Sequence, residues 1–510
     1  MKAGGPNNGP DRAFIYKLNR NQAMENTRTY TTRKNSCYPA DRILRPGRAV
    51  AVIFLCLQLI LPGWLQAMTI GEEREISEKL LYSVRAQFRL LDDPDISQYI
   101  NELGHQVLAV AGPQYFTYHF FVVKSDQFNA FAAPGGLVFF YTGLIEKMNT
   151  ENQLVSVLAH EIGHVVSRHI AQRIDKGGKI SAITMGLALA SLALGNPALS
   201  QGLFTGSLAA GQALNLHYSR QDEEQADRLS FTWMRKLHRN PVAMEGMLKT
   251  MRRITRYRSG ELPQYLLTHP NPEARLNYVE SLLVTDKDQG KPGYYKNEDN
   301  FRFLRFKYRI MSQTMEPDQM RVVCSRRADD GKSDLVRIMG TYGLALAARA
   351  DRNYPRARQL LRSVIAAFPD RDILKVDLAV LDLESGRTDE ALQLLTRAVK
   401  RDPTDMYAVF ELARVRSARG EFDKARKLLD KVARVMPDYS QLYWELARIA
   451  AGRNRDGAST FYLGKYYLYE GRVKQARQYL QRAIRDPKLS DQLRQEAASI
   501  LKRLQELEKV

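Results

Sequence analysis

The stretch VLAHEIGHVVSRHI, Val157–Ile170, decides the fold of the first half of the chain. On an α-helix, residues four apart lie about 40° from each other around the axis and about 6 Å along it, so His160 and His164 project from one face. Two imidazoles in this arrangement can fill two positions of a tetrahedral zinc site. Glu161 lies beside such a metal without binding it, where its carboxylate can accept a proton from the attacking water. The pattern predicts a buried helix that carries a metal site.

A third protein ligand has to be found outside this pair. His169 lies about 180° from His160 around the helix axis, so we interpret it as a surface residue that points away from the metal. A histidine six residues after His164 would indicate the metzincin arrangement, but Ile170 stands there. We therefore expect the remaining ligand to come from another segment.

The segment HYSRQDEEQADRLSF, His217–Phe231, offers such a ligand. Glu223 and Asp227 are four apart on a helical pattern and so share one face. Glu223 can be the third ligand, and Asp227 can accept a hydrogen bond from the far nitrogen of a ligand histidine, which fixes its tautomer and orientation. Glu224, about 100° away, is the second candidate ligand. Taken alone, the pattern is equally typical of an ordinary acidic helix face.

Taken together, HEIGH and SRQDEEQAD resemble the zinc metallopeptidase family that includes HtpX and the CAAX prenyl proteases. NAFAAPGGLVFFYTGLI, Asn129–Ile145, and LLTHPNPEARL, Leu266–Leu276, are similar to further segments of that family. The resemblance implies a gluzincin-type domain of helices and a small β-sheet. It also implies one Zn²⁺ per chain, held by His160, His164 and Glu223.

The same resemblance implies roles for three more residues. Glu161 would be the general base. His269 and Arg275 keep the six-residue spacing of the family, whose members use this pair in one of two ways. Either the two side chains help to stabilise the oxyanion of the reaction, or the histidine plugs the open position of the metal.

A 34-residue period marks the chain beyond residue 335. Four sets of positions share this spacing: Pro369, Pro403 and Pro437; Ala357, Ala391 and Ala425; Tyr354, Thr388 and Phe422; Gly386 and Gly420. A period of this length with a small residue in the second helix and a proline after it is the tetratricopeptide signature. An imperfect fourth unit ends at Pro487, after an insertion of about 16 residues. The pattern predicts a helical solenoid with a concave binding surface.

The N-terminal residues predict export. Residues 1–48 hold a net charge of +7 out of the +20 of the chain, and an apolar core follows within Ala49–Met68. This order, with a small residue at the end of the apolar region, is typical of a secretory signal cleaved near Ala67. An uncleaved anchor in the inner membrane, facing the periplasm, is the alternative. After cleavage Cys324 would be the only cysteine, which excludes an intrachain disulfide.

The sequence thus predicts a mainly α protein in four parts. These are a basic region with a signal peptide or anchor (1–67), a zinc metallopeptidase domain (68–290), a helical linker (291–335) and a tetratricopeptide solenoid (336–510). Tyr115–Ser125 and Leu137–Ile145 are the candidate strands. We expect the strand near Leu137–Phe140 to bind an extended substrate peptide by edge addition.

Residues 176–215 are rich in Gly, Ala, Ser and Leu. Ile180–Leu194 is apolar but shorter than the roughly 18–20 residues that a membrane span needs. We interpret this segment as a flap or a buried hairpin, with membrane insertion as the alternative.

With the signal and the repeats, the chain resembles periplasmic members of the family. This implies a zinc endopeptidase that cleaves misfolded or stalled outer-membrane proteins, with unfolded or partly folded proteins as substrates. Its repeats would dock on the outer-membrane β-barrel assembly machinery. A repeat scaffold or chaperone with latent protease activity is the alternative. The basic charge lacks a nucleic-acid motif, which argues against nucleic acid as a partner and leaves peripheral membrane association open.

Overall fold

The structure, a computed structural model, describes residues 68–172, 218–257, 263–288, 291, 293–330 and 333–508. The basic region, the expected signal segment and the apolar stretch 180–194 lie outside the described residues. Within the part of the chain that is described, no helix is both long and apolar enough to cross a membrane.

The first part of the chain contains eight described helices and three strands. In chain order these are α1 Ile70–Gln87, α2 Pro94–Ala111, β1 His119–Val123, β2 Ala130–Ala133, β3 Leu137–Tyr141, α3 Thr142–Lys147, α4 Glu151–Val166, α5 Arg220–Lys236, α6 Val242–Tyr257, α7 Gln264–Thr268 and α8 Pro272–Val284. Thr150 caps α4 by accepting a hydrogen bond from the backbone N–H of Gln153. The helix that the HEIGH motif predicts is therefore present, and it is buried over most of its length.

The three strands form a sheet in the order β1-β3-β2, with helices on both faces. Alternate side chains point to opposite sides, as strand geometry requires. On one face Phe120, Val138 and Phe140 join the main hydrophobic core with α2 and α4. On the other face Phe131 and Phe139 pack with α1 in a smaller cluster. Because β3 is central and covered on both faces, its sequence LVFFY is apolar throughout.

Two expectations about the strands are wrong. The apolar run Leu137–Ile145 is a strand only as far as Tyr141, and α3 starts at Thr142. The strand near Leu137–Phe140 is not an edge, because β1 pairs with it in parallel and β2 in antiparallel orientation. Its backbone groups are committed on both sides, so it cannot accept a substrate strand. The sequence analysis also missed β2, a four-residue strand.

The close packing of α2 on the sheet gives a stability prediction. A Cβ atom on Gly104 would lie 2.3 Å from the ring of Phe120. We expect Gly104→Ala to lower the free energy of unfolding by about 1–3 kcal/mol, because overpacking forces the helix away from the sheet. Gly71→Ala is the matched control, since the nearest atom is 3.8 Å away. It should stabilise the protein by about 0.4–1 kcal/mol. Urea denaturation would measure both, and equal effects would contradict the packing argument.

Twelve further helices follow. They are α9 Phe301–Thr314, α10 Pro317–Asp330, α11 Asp334–Ala350, α12 Tyr354–Ala367, α13 Ile373–Glu384, α14 Thr388–Arg401, α15 Met406–Ala418, α16 Phe422–Val435, α17 Ser440–Ala451, α18 Asp456–Tyr469, α19 Val473–Ile484 and α20 Asp491–Glu508. The insertion before the fourth repeat unit is mostly α17, which packs against α18. The second half of the chain is a helical repeat array, as its period predicts.

The recurring 34-residue spacing of the repeats has a direct structural cause. Tyr354, Thr388 and Phe422 are each the first residue of the second helix in a pair. Gly386 and Gly420 adopt positive φ values of 83° and 75° in the turn between the helices, a conformation that favours glycine. The small residue of each second helix, Ala357, Ala391 or Ala425, is fully buried where neighbouring helices meet. The 34-residue period therefore arises because each helix pair needs the same turn residue and the same small buried residue.

Successive repeats contact one segment of the peptidase part, Arg85–Gln98. Gln98 accepts a hydrogen bond from the N–H of Met406. Asp92 accepts one from the N–H of Ser440 at 2.8 Å. Arg85 donates to the carbonyl of Tyr469 and pairs with Asp438. The array is thus attached to the peptidase part at several of its helices.

A buried charge network strengthens this attachment. Arg305 of α9 binds both carboxylate oxygens of Asp377 on α13 and both of Asp95 on α2. Arg309 pairs with Asp93 at 2.8 Å and with Asp95 at 2.7 Å. Both guanidinium groups are buried. The region predicted as a helical linker is therefore in part a core element that joins the peptidase part to the first repeats.

Candidate metal centre

The packing of α4 on α5 brings the candidate ligands together. A Cβ atom on Gly163 would lie 3.2 Å from the Cα of Ala226, so glycine allows the two helices to approach closely. One turn before these residues stand His160 on α4 and Glu223 on α5. Ser219 and Asp222 form a capping box that fixes the start of α5. Gly163 therefore allows α4 and α5 to pack closely, and the capping box determines where α5 begins.

Four buried side chains place one donor atom each within 4.8 Å of one another: His160, His164, Glu223 and His269. The Nε2 atoms of His160 and His164 are 3.1 Å apart. Glu223 oxygens lie 3.5 Å and 3.4 Å from these two nitrogens. In a tetrahedral zinc site the donor atoms are roughly 3.3 Å from each other. The spacing of the donors thus fits a zinc-sized cation between them.

The formal charges of the site also call for a cation. Glu161, Glu223 and Asp227 are buried carboxylates, and Arg275 is the one buried guanidinium group among them. With the imidazoles counted as neutral, the three carboxylates and the guanidinium group have a net formal charge of −2. Since buried charge is costly unless it is paired or binds a metal, a divalent cation would balance the site.

Arg275 lies against the carboxylates. Its Nε and Nη2 atoms donate to the two oxygens of Asp227 at 2.9 Å and 2.7 Å. Its Nη1 atom is 2.9 Å from an oxygen of Glu223. Asp227 in turn lies 2.9 Å from Nδ1 of His160, the far nitrogen of that imidazole. Arg275 thus contacts both carboxylates and restricts the orientations that Glu223 and Asp227 can adopt.

The pKa shifts of Glu223 and His164 agree with this donor set, whereas that of His160 does not. Burial and Arg275 act to lower the pKa of His160, but Asp227 and Glu223 outweigh them and raise it to about 9, so a cation would have to displace a proton from this imidazole. Burial alone would raise the pKa of Glu223, but His269, Arg275 and the histidines of α4 hold that pKa well below its usual range. Burial lowers the pKa of His164 well below its usual value, so its imidazole is neutral. An ionised carboxylate and a neutral imidazole are the forms that bind a metal.

Glu161 stands beside the donor cluster. It is fully buried, and neither of its carboxylate oxygens has a hydrogen-bond partner in the described part of the chain. One oxygen lies 3.6 Å from Nε2 of His269. Both oxygens of this carboxylate can therefore accept a hydrogen bond from a bound reactant.

The loop between α7 and α8 places His269 at the fourth donor position. His269 is the C-cap residue that follows α7, and Asn271 between two prolines adopts a φ of 59° before α8 begins. Nδ1 of His269 is 2.9 Å from Glu223 and 3.3 Å from Nε2 of His160. His269 is completely buried. The loop therefore holds this imidazole among the candidate ligands.

Two tyrosines that the sequence analysis did not select line the site. Tyr265 stacks on His269, with ring centroids 4.3 Å apart, and the ring of Tyr218 lies 3.7 Å from that of His164. The N–H of Tyr218 also donates to the carbonyl of Thr268. Tyr265 precedes His269 by one helical turn, and this spacing is the only sequence signal for its position.

The structure also shows the positions of Glu224 and His169, for which the sequence made separate predictions. Glu224, the second candidate ligand, lies outside the donor cluster and pairs with Arg220 near the surface. His169 was interpreted as a surface residue, and this is wrong. It is buried, and its Nδ1 lies 2.9 Å from Nδ1 of His164. The helix ends at Val166, so the angle extrapolated along a continuous helix does not apply.

Known proteins share both halves of this architecture. Residues 93–283 match the model of peptidase family M48. The β-barrel assembly-enhancing protease of Escherichia coli (strain K12) is 30% identical over 336 residues, which cover 65% of this chain and 67% of that protein. The chain belongs to peptidase family M48. The protein of the same name from Yersinia pestis is 28% identical over 355 residues, which cover 68% of this chain and 70% of that protein.

The repeats match as well. Tetratricopeptide repeat models match residues 348–407, 382–450 and 458–488. Among solved structures, MamA from Desulfovibrio magneticus RS-1 is 16% identical, with a TM-score of 0.28 over 34% of this chain and 97% of that one. The mitochondrial metalloendopeptidase OMA1 of Schizosaccharomyces pombe is 30% identical over 185 residues, which cover 36% of this chain and 52% of that protein. The M48 match and these relatives make the chain a metalloendopeptidase, and they confirm the family resemblance of its motifs.

Proposed function

We propose that this M48 peptidase is an exported zinc endopeptidase with one Zn²⁺ per chain, bound by His160, His164 and Glu223. The observation that carries the proposal is the buried donor cluster, whose spacing and net negative charge both fit a divalent cation. When bound, zinc would polarise the scissile carbonyl and acidify a water molecule. Zinc rather than a harder cation is supported by the two imidazole donors.

The proposed roles of the other residues follow from their contacts. Glu161 accepts the proton of the attacking water on its free carboxylate and later delivers it to the leaving amine. Asp227 holds His160 through Nδ1, so that Nε2 faces the other donors. Arg275 positions Glu223 and Asp227. We do not assign it to the oxyanion, because three of its nitrogens already face these carboxylates.

His269 is proposed to be a plug of the fourth position. Its Nδ1 lies as close to the ligand set as the ligands lie to each other, and it is buried under Tyr265. The protein would then rest in a latent form and become active when the loop between α7 and α8 moves. This observation also favours the second candidate function, a repeat scaffold or chaperone with latent protease activity.

The substrate class and the location rest on the relatives and on the leader. The two relatives described above are named β-barrel assembly-enhancing proteases. This supports misfolded or stalled outer-membrane proteins as substrates, in unfolded or partly folded form, and docking of the repeats on the machinery that assembles them. A cleavable signal at the N-terminus would place the protein in the periplasm, where it could associate peripherally with a membrane. The mass of the mature N-terminus in cells would distinguish cleavage from retention as an anchor.

Zinc content tests the proposed ligand set. The wild type should contain about one zinc per chain, whereas His160→Ala should lose most of it, because the cation loses one of its three ligands. His105→Ala is the matched control, since this exposed histidine lies outside the donor cluster and its described contacts are a hydrogen bond to the carbonyl of Asn101 and an edge contact with the ring of Phe120. Equal zinc in wild type and His160→Ala would overturn the proposed site.

The plug makes a separate prediction. We expect His269→Ala to keep its zinc and to cleave casein at least several times faster than the wild type, because an open position is what a catalytic zinc site requires. Initial rates at equal zinc loading measure this. A rate at or below that of the wild type would contradict the plug and would support a direct role of His269 in catalysis.

A further inference from the structure

The turn that follows α4 sends the chain back towards the metal centre. After Val166 the backbone passes through Ser167 and Arg168, and Arg168 adopts a φ of 53°. A left-handed conformation at a non-glycine residue is costly and persists only where the surroundings hold it. Its result here is that His169 does not continue the helix face. The imidazole is buried instead, with 2% of its surface exposed.

His169 faces the far side of a proposed ligand. Its Nδ1 is 2.9 Å from Nδ1 of His164, while the Nε2 of His164 points to the donor cluster. Two ring nitrogens at this distance share one hydrogen, so one of them must donate and the other accept. A ligand that binds through Nε2 has its hydrogen on Nδ1. His164 would then be the donor and His169 the acceptor.

Gln225 fixes the same assignment from the opposite end. Its Oε1 lies 3.2 Å from Nε2 of His169. An amide oxygen can only accept, so His169 has its hydrogen on Nε2 and a lone pair on Nδ1. The chain of bonds runs from His164 to His169 and on to Gln225, and each member is in the form that the next one requires. Asp222, with an oxygen 3.8 Å from the same Nε2, adds negative charge at the outer end.

Arg168 also explains how the turn is held. Its Nε donates to Glu73 at 2.8 Å, and its Nη2 donates to the carbonyl of Met68. Glu73 is buried on α1, so the first helix of the described chain supports the turn. The conformation that directs His169 inward is therefore stabilised by contacts from another element.

We infer that His169 is a positioning residue of the metal centre, which fixes the tautomer and orientation of His164 with Gln225 as its own hydrogen-bond acceptor. The inference rests on the proposed function, because it takes His164 as a zinc ligand. It extends that function to a residue that contacts neither the metal position nor a substrate. Partners of this kind commonly contribute 10- to 100-fold to metal affinity.

The test compares zinc affinities, measured by competition with a chromophoric chelator on the full chain. His169→Leu should bind zinc about 10- to 100-fold more weakly, since His164 loses its acceptor. His169→Asn should recover most of this loss, because an amide oxygen can take the place of Nδ1 as acceptor. His105→Leu is the control at an exposed histidine and should bind zinc like the wild type.

A second variant keeps the test decisive if His169→Leu fails to fold, as thermal unfolding of the metal-free proteins would reveal. Gln225→Leu changes the far end of the chain of bonds and should weaken zinc binding in the same direction, by a smaller factor. If His169→Leu folds and binds zinc like the wild type, or if His169→Asn is as weak as His169→Leu, the positioning role is wrong. If His160→Ala also binds zinc like the wild type, the proposed metal centre itself is wrong.

Discussion

Glu161→Gln is expected to lower the rate of peptide hydrolysis by about 10²- to 10⁴-fold, the range that a general base typically contributes. The amide has the shape of the carboxylate but cannot accept a proton. Glu161 makes no hydrogen bond in the described structure, so its replacement breaks no contact that holds the fold. The zinc content should stay at the wild-type level, because the proposed ligands are His160, His164 and Glu223.

The measurement is most sensitive where the site is open. Glu161→Gln is therefore compared with its parent both in the wild type and in His269→Ala, with casein rates and zinc content determined on the same preparations. Glu224→Gln serves as the control, since this nearby glutamate pairs with Arg220 near the surface. A Glu161→Gln protein that retains zinc and cleaves casein within a few-fold of its parent would exclude Glu161 as the base.

Arg305→Met should lower the free energy of unfolding by about 3–5 kcal/mol, the cost of removing one partner from a buried ion pair. Methionine keeps much of the length of the side chain but leaves Asp377 and Asp95 without their two-pronged contacts. Arg309 would remain as a single positive charge among three carboxylates. Because these contacts join α2, α9 and α13, we also expect the peptidase part and the repeats to unfold less cooperatively.

Urea denaturation followed by circular dichroism would measure the effect. Arg371→Met is the matched control: Arg371 pairs with Asp299 at 2.7 Å, but this pair is exposed. Its loss should change the stability by about 1 kcal/mol or less. Equal effects of the two substitutions would show that the buried network does not stabilise the attachment of the repeats.

The sequence predicts those parts of the molecule that depend on regular spacing. The i, i+4 rule brings His160 and His164 together, and it places Glu223 and Asp227 on one face of α5. The 34-residue period predicts the helix pairs, because each pair has the same turn and the same small buried residue. These signals need no knowledge of distant partners.

The remaining features depend on contacts between distant segments or on an irregular backbone. The inward position of His169 follows from the positive φ of Arg168. The sequence does not predict this conformation, because position 168 is neither glycine nor asparagine. The central position of β3 follows from a parallel pairing with β1 that a strand pattern alone does not specify. The basic residues of α9 are typical of a solvated face, yet Arg305 and Arg309 are buried. Both pair with Asp377, which lies about 70 positions further along the sequence, so the local pattern could not predict their burial.

The contacts of Asp92, Arg85 and Gln98 with the repeats have a mechanical consequence. A free solenoid behaves as a spring that can stretch or twist along its axis, because each unit touches only its neighbours. Here the repeat array contacts the peptidase part at several helices, and these contacts restrain such motion. A ligand would therefore bind an array whose curvature is already restrained, and a change in that curvature would have to alter the contacts with Arg85–Gln98.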